Sequence, residues 1–112
     1  MNPYYCSVEL NLKMIEFNEP NLCYEFNTLV FWATPEGQVY SASDSGCSCP
    51  TPFENYDFPT REEVLQSLER IGSVEHAEQI FNNWSKGYEG RSFLPISKRF
   101  DLSNWIKTHL KT

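Results

Sequence analysis

The sequence predicts an α+β fold in which a three-stranded antiparallel meander precedes two or three short helices packed on one of its faces. Three observations favour this fold. Apolar and polar residues alternate in the first part of the chain, a proline–glycine turn joins two such stretches, and helical apolar stripes follow after about residue 60. A chain of 112 residues has room for one domain. We therefore expect a single domain over residues 1–112, with the sheet at about 6–44, a loop at about 43–59 and a helical part at about 60–111.

The first predicted strand rests on alternation. Val8, Leu10, Leu12 and Met14 are separated by polar residues, which is typical of a strand with one buried face. A turn is expected at residues 18–21, where Asn, Glu, Pro and Asn follow one another.

The second and third predicted strands form a hairpin. Residues 23–34 alternate at first and become apolar on both faces over residues 29–32, which indicates a central strand covered on both sides. Pro35 restricts φ at the corner of the turn, and Gly37 accepts a positive φ after it. The third strand is expected over residues 39–43.

The first predicted helix spans about residues 61–71. Thr60 and Glu63 form a capping box at its start, in which each side chain accepts from a free backbone amide. Gly72 is expected to end the helix in the left-handed conformation. The buried stripe of this helix is expected to consist of Val64, Leu65, Leu68 and Ile71.

Two further helices are expected near residues 74–86 and 102–111, with Ser73 and Asp101 as their N-caps. Their apolar stripes consist of Ala77, Ile80, Phe81, Trp84, Leu102, Trp105, Ile106 and Leu110. The large side chains expected in the core are Trp32, Leu68, Phe81 and Trp84.

Charge is distributed unevenly along the chain, which has 15 acidic and 9 basic residues and a net charge of −6. The first sixty residues contain eight acidic residues and one basic residue, Lys13, and therefore carry −7. An acidic half argues against direct nucleic-acid binding there, because Lys and Arg supply most of the affinity for phosphates. It is compatible with a basic protein partner, with mimicry of DNA, or simply with solubility.

The loop at about 43–59 is the feature most indicative of function. It is about 17 residues long, and loops beyond roughly 12 to 15 residues are usually functional or disordered. Three prolines and three aromatic residues favour a rigid binding loop, whose rings either contact a partner or pack inward to hold the loop. The candidate binding residues are Asp44, Ser45, Gly46, Cys47, Ser48, Cys49, Pro50, Pro52, Phe53, Glu54, Tyr56 and Phe58.

The run Asp-Ser-Gly-Cys-Ser-Cys-Pro-Thr-Pro-Phe-Glu at residues 44–54 resembles a motif in a family of small uncharacterised bacteriophage proteins. The resemblance covers roughly residues 22–58 and includes the strand and glycine turn before the motif. It implies a phage origin and a location in the cytoplasm of a bacterial host. It implies no particular activity.

The cysteines and histidines suggest weaker alternatives. A zinc site would need Cys47 and Cys49 with Cys6 and Cys23, but only one close pair is present and the other two cysteines fall in strand patterns. Thiol chemistry at the Cys47–Cys49 pair has no nearby cation to lower a thiol pKa. The two histidines, at positions 76 and 109, have no neighbouring nucleophile in a known catalytic pattern.

The leading hypothesis is therefore a small acidic non-enzymatic phage protein that binds a host protein and inhibits or redirects it. We expect no cofactor, no bound metal, no direct contact with nucleic acid and no membrane association. The alternatives are a zinc- or thiol-dependent module built on Cys47 and Cys49, and a DNA mimic that uses the acidic first half. The sequence leaves the partner and the oligomeric state open.

Overall fold

The sheet is antiparallel, and its strand order follows the order of the chain. The computed structural model describes residues 1–47, 51–87 and 90–111. The elements are β1 (Lys13–Asn18), β2 (Glu25–Ala33), β3 (Val39–Cys47), α1 (Arg61–Gln66), β4 (Glu69–Ile71), α2 (Val74–Trp84) and α3 (Ile96–His109). Within these residues the strands pair in the order β1-β2-β3-β4. The predicted α+β fold is confirmed, with one short strand more than expected.

Strand β2 is covered on both faces, as the sequence predicts. Consecutive side chains of a strand point to opposite faces, so Leu29 and Phe31 lie on one face and Val30 and Trp32 on the other. Each of these four side chains is at most 1% exposed. Burying side chains of this kind contributes about 1.5–3 kcal/mol each. We call the face of Leu29 and Phe31 the helical face, and the face of Val30 and Trp32 the motif face.

The helical face is covered by two helices. Ala77 and Phe81 of α2 and Leu102 and Ile106 of α3 are buried against it. The ring of Phe81 meets that of Phe17 from β1 edge to face, with centroids 5.0 Å apart. These contacts confirm the apolar stripes predicted for the two helices.

The motif face is covered mainly by segments without regular secondary structure. Leu10 and Leu12, which precede β1, pack there together with Phe53 from the loop after β3. Val64 and Leu68 add the apolar side of the short helix α1 and the turn after it. Helices α2 and α3 thus share one face as predicted, whereas α1 lies on the other.

The first strand begins later than predicted, at Lys13 rather than at about residue 6. Residues 3–11 form a series of turns, in which the backbone N–H of Leu12 donates to the carbonyl of Ser7 at 2.8 Å. Val8 is 84% exposed, so the alternating residues do not lie on one buried strand face. The strand prediction was wrong here because turns can bury alternate leucines as well as a strand does.

The hairpin between β2 and β3 is built as predicted. Gly37 has a φ of 90°, and its N–H donates to the Thr34 carbonyl at 3.1 Å. The Thr34 N–H in turn donates to the carbonyl of Gln38 at 2.9 Å. A Cβ at Gly37 would lie 2.5 Å from Cγ of Lys111, so both the conformation and the space require glycine.

The helix predicted over residues 61–71 is instead a helix followed by a strand. Its N-terminal cap is confirmed, because Thr60 Oγ1 accepts from the N–H of Glu63 at 3.2 Å. The helix ends at residue 66, and β4 pairs with β3, with Ile71 opposite Val39. Ile71 is thereby buried on the helical face. Its spacing fits a helical stripe, but sheet pairing determines its conformation.

Gly72 does not end a helix in the left-handed conformation, and that prediction was wrong. Positive φ among the described glycines occurs at Gly37 and Gly90 instead. Because β4 is already extended, the chain enters α2 without needing such a cap. Ser73 caps α2 as predicted, and its hydroxyl accepts from the backbone N–H of His76 at 3.0 Å.

Helix α3 begins at Ile96, six residues before the predicted start, and its N-cap is Pro95. Asp101 therefore lies within the helix and is not its cap. Proline suits this position because its missing N–H removes no hydrogen bond at the start of a helix. Among the described residues we find no helix that is both long enough and apolar enough to cross a membrane.

The core prediction is confirmed for Trp32, Leu68 and Phe81, which are buried. Trp84, the last residue of α2, is only partly buried against the helical-face core. Helix α2 ends there instead of continuing to residue 86, which places the indole near the end of the sheet.

Candidate functional site

The motif residues begin inside the sheet. Strand β3 extends to Cys47, four residues beyond the predicted end, because β2 offers a partner for each added residue. Phe26 pairs with Gly46, and Glu25 pairs with Cys47. The irregular segment is therefore shorter than the predicted loop of residues 43–59. Three candidate binding residues, Ser48, Cys49 and Pro50, lie outside the described residues.

Phe53 is the centre of the described part of the motif loop. It is fully buried and has a φ of 60°, an unfavourable conformation for an aromatic residue. Its backbone N–H donates to Asp44 Oδ2 at 2.8 Å, and its carbonyl accepts from Asn2 Nδ2 at 2.6 Å. Strained backbone persists where the surroundings over-determine it, and these two hydrogen bonds do so here.

Aromatic rings surround Phe53. Its ring stacks on Tyr4 with centroids 5.2 Å apart, and meets Trp32 and Tyr56 edge to face at 5.8 Å and 5.1 Å. Tyr56 and Phe58 are partly buried against the same cluster. Burial raises the pKa of Tyr56 above its ordinary value, and the charge of Asp44 adds to this. Inward packing, the alternative considered for these rings, is confirmed for Phe53.

Exposed hydrogen bonds also hold the loop in place. Tyr5 donates its hydroxyl to the Pro52 carbonyl at 2.7 Å. Glu54 accepts from the Thr51 N–H at 3.4 Å, a long hydrogen bond within the loop. The described motif residues thus serve mainly to fix the loop to the N-terminal segment, and Ser45, Cys47 and Glu54 remain exposed.

A cleft of about 380 Å³ opens at the end of the sheet opposite the hairpin turn. The β1–β2 connection and the paired ends of β2 and β3 form its walls. We call it the open-end cleft, and it is lined by Glu19, Leu22, Glu25, Phe26, Asn27, Ser45 and Gly46. Sequence reasoning identified Ser45 and Gly46 but missed the other lining residues, since no local pattern brings the β1–β2 connection next to the motif.

One wall of the open-end cleft is fixed by a chain of hydrogen bonds. Trp84 Nε1 donates to Asn27 Oδ1 at 2.9 Å, and Asn27 Nδ2 donates to Glu19 Oε1 at 2.9 Å. The Glu19 backbone N–H also donates to the Asn27 carbonyl at 3.0 Å. The Glu19 carboxylate is therefore held in place before any ligand arrives. Such preorganisation lowers the entropic cost of binding.

Tyr24 lies in the chain between two lining residues of this cleft, Leu22 and Glu25, and is 84% exposed. Its φ is 60°, a conformation that residues other than Gly, Asn and Asp rarely adopt. Backbone strain of this kind costs about 1–3 kcal/mol and concentrates at functional sites. The sequence did not indicate this conformation, because Tyr24 fits the alternating pattern of the strand predicted over residues 23–34. Its positive φ arises in the turn before β2.

Residues 1–104 match the family described as Domain of unknown function (DUF7574). The chain belongs to this family. The matched residues include the open-end cleft and the motif loop and end within α3. No curated protein and no solved structure matches the chain.

Among the described residues, no cysteine belongs to a group of side chains that could hold a metal ion. Cys6 is partly buried on the motif face, whereas Cys23 and Cys47 are exposed, and all three are free. Cys23 precedes β2 and Cys6 lies among turns, so their placement in strands was wrong. Within residues 1–47, 51–87 and 90–111, no three His, Cys, Asp or Glu side chains are grouped closely enough to hold a metal ion.

Proposed function

We propose that the protein is a small non-enzymatic bacteriophage protein that binds a host protein in the bacterial cytoplasm and inhibits or redirects it by covering one of its surfaces. The observation that carries this proposal is Tyr24, an exposed ring on a strained backbone between two residues that line the open-end cleft. Exposed Tyr residues supply large contact areas at low entropic cost and are enriched among the residues that dominate binding energy. The phage setting rests on the resemblance of the motif.

The chemistry of the cleft indicates what it would accept. Glu19 and Glu25 contribute two carboxylates, while Leu22 and Phe26 provide an apolar wall. A partner surface with a Lys or Arg next to an apolar side chain complements this arrangement. The charge of −7 on the first sixty residues steers such a partner toward this part of the chain.

The motif loop has a supporting part in this proposal. Asp44 holds Phe53, and Phe53 closes the aromatic cluster below the loop. Asp44 therefore links the described part of the loop to β3, and the next two residues of that strand, Ser45 and Gly46, line the cleft. A rigid site loses less conformational entropy when it binds than a flexible one does.

The proposal is tested by capture of partners from a lysate of the bacterial host, read by mass spectrometry, followed by titration of the captured protein. The decisive variant is Tyr24→Gly. Glycine adopts positive φ without strain, so the melting temperature should stay the same or rise while the ring is lost. Binding should fall by about tenfold or more, as expected for removal of a dominant interface residue. Glu25→Gln should weaken binding by a smaller factor.

Phe100→Ala provides the matched control, because Phe100 is an aromatic residue of α3 that is 55% exposed. It should leave partner binding unchanged. Equal binding by Tyr24→Gly and the unmodified protein would contradict the proposed surface. A loss of complex by a factor of about 10³ or more between 50 and 200 mM salt would instead favour DNA mimicry by the acidic half.

A further inference from the structure

A second pocket, of about 360 Å³, lies at the hairpin-turn end of the sheet and has the opposite charge. Its polar lining residues are Asn11, Lys13, Thr34, Thr108, His109 and Lys111, and no acidic residue lines it. Lys13 is the one basic residue among the first sixty. In a chain with a net charge of −6, basic side chains from distant segments meeting in one pocket need an explanation.

The basic side chains of this pocket come from three separate parts of the chain. Lys13 begins β1 and pairs with Ala33 at the end of β2. His109 ends α3, where its ring lies tilted against that of Trp105 with centroids 4.4 Å apart and its Nδ1 lies 2.8 Å from the Trp105 carbonyl. That carbonyl can only accept, so Nδ1 carries a proton and Nε2 is left for other partners.

Lys111 reaches the pocket because the chain after α3 is fastened to the hairpin turn. Its backbone N–H donates to the Gly37 carbonyl at 2.9 Å, and its side-chain stem packs on Gly37. The same lysine lines a neighbouring pocket of about 300 Å³ that also contains Arg70. The cationic lining of the turn end therefore extends over two adjoining pockets.

The lysines have no carboxylate partner in the described part of the chain. The ion pairs there join the N-terminal ammonium to Asp57 and His76 to Glu69, and neither involves this pocket. Glu36 of the hairpin turn does not line the pocket. Hydrogen bonds from its own backbone N–H and from the Thr34 hydroxyl lower its pKa, so its carboxylate stays charged outside the pocket. Like charges that share a site repel each other unless an anion compensates them.

We propose that this pocket binds a small anion of the phosphate class, with the ammonium groups of Lys13 and Lys111 as its main ligands. Ammonium groups bind phosphate as point charges, and the amide of Asn11 supplies a further donor at the same wall. A phosphate monoester carries about −1.5 to −2 at pH 7 and matches two cations. Lysine near the C-terminus of α3 also suits the helix dipole, but Lys13 comes from a strand, where that effect does not apply.

The test uses the full chain, labelled with ¹⁵N, and follows amide resonances by NMR at constant ionic strength. Inorganic phosphate is titrated against sodium chloride, and adenosine monophosphate is titrated against adenosine. Both phosphate-bearing probes should give saturable shifts at Thr34, Thr108 and Lys111, while chloride and adenosine should give none. Equal shifts with chloride would overturn the proposal, because they would indicate charge screening alone.

Lysine variants distinguish binding at the pocket from non-specific attraction of the anion to surface charge. Lys13→Gln and Lys111→Gln should each raise the apparent dissociation constant by about tenfold, the effect of losing one charge-assisted contact. Lys107→Gln, which removes an exposed α3 lysine outside the pocket lining, is the matched control and should leave the constant unchanged. Lys13→Arg should retain binding.

Equal weakening by all three glutamine variants would contradict a defined site. Tighter and equally lysine-dependent binding of a short single-stranded DNA would also overturn the assignment to a small anion. Tyr24→Gly should not affect any of these titrations, so the outcome here is independent of the proposed host-protein surface.

Discussion

The two faces of the sheet are stabilised in different ways. On the helical face, α2 and α3 supply regularly spaced apolar side chains, and each helix satisfies most of its backbone groups internally. On the motif face, irregular segments provide much of the cover, and side chains tie their backbone down: Trp32 Nε1 donates to the Pro3 carbonyl at 3.0 Å, and Asn2 and Asp44 hold Phe53. Irregular backbone needs such ties because it lacks the internal hydrogen bonds of a helix. The comparison indicates that the described part of the motif serves mainly to cover the motif face of the sheet, where no long helix packs.

The largest expected effects come from removing the central ring of each face. Phe81→Ala and Phe53→Ala should each lower the free energy of unfolding by about 3–5 kcal/mol, through lost burial and a remaining cavity. Denaturation in urea measures both. In addition, hydrogen exchange should show Phe53→Ala exposing residues 1–12 while α2 and α3 stay protected. A loss below about 1 kcal/mol for Phe53→Ala would mean that the motif face is not a core.

A smaller effect is expected when the hydrogen bond between Asp44 and the Phe53 backbone N–H is removed and the Phe53 ring is kept. Asp44→Ala leaves the Phe53 N–H, at a buried residue, without its acceptor, which should cost about 1–3 kcal/mol. Asp101→Ala removes the same charge from an exposed position on α3 and should change stability by less than about 0.5 kcal/mol. Equal effects of the two variants in thermal denaturation would show that the loss reflects charge and not the tie.

The motif face should also weaken at alkaline pH. Burial raises the pKa of Tyr4 above its ordinary value, and the hydrogen bond from its hydroxyl to Glu16 Oε2, at 2.7 Å, adds to this. A folded-state pKa above the unfolded value of about 10 means that this stabilisation is complete below about pH 10 and is lost as the pH rises further. Tyr4→Phe should therefore reduce stability modestly at pH 8 and flatten its decline above pH 10, as measured by melting temperature. If Tyr4→Phe leaves the decline above pH 10 unchanged, groups other than Tyr4 cause that decline. Tyr24→Phe, which alters an exposed tyrosine, is the control.

The smallest expected effect is that of a chelator. If shape and hydrogen bonding hold the motif face, EDTA should leave the melting temperature unchanged, and elemental analysis should find no stoichiometric metal. About one zinc per chain, lost together with the fold, would instead favour the site built on Cys47 and Cys49 with Cys6 and Cys23. That result would make the motif face a metal-dependent structure.

The elements that sequence reasoning predicted well are those determined by nearby residues. The hairpin follows from Pro35 and Gly37, and the starts of α1 and α2 follow from the caps Thr60 and Ser73. Strand β4 was missed because Ile71 satisfies a helical spacing and a strand spacing equally well, and pairing with β3 decides between them.

The site was less predictable than the fold. The composition of the motif correctly indicated an inward ring, that of Phe53. The open-end cleft was missed, because it depends on contacts between distant segments of the chain. Trp84, Asn27 and Glu19 are joined across 57 and 8 positions of the chain, and no local pattern announces such a network. The positive φ of Tyr24 has the same origin.

The sequential strand order has a consequence for the path by which the chain folds. Because β1, β2 and β3 are joined by short connections and pair in chain order, this part of the sheet can form through short loop closures, which favours fast folding. The bond from Asn2 to Phe53 spans 51 positions and must close a much longer loop. We expect the N-terminal segment to dock last during folding and to detach first in the native state, and pulse-labelled hydrogen exchange would reveal this order. We therefore expect the sheet, α2 and α3 to stay assembled while the N-terminal segment opens and recloses, because local opening costs less free energy than global unfolding.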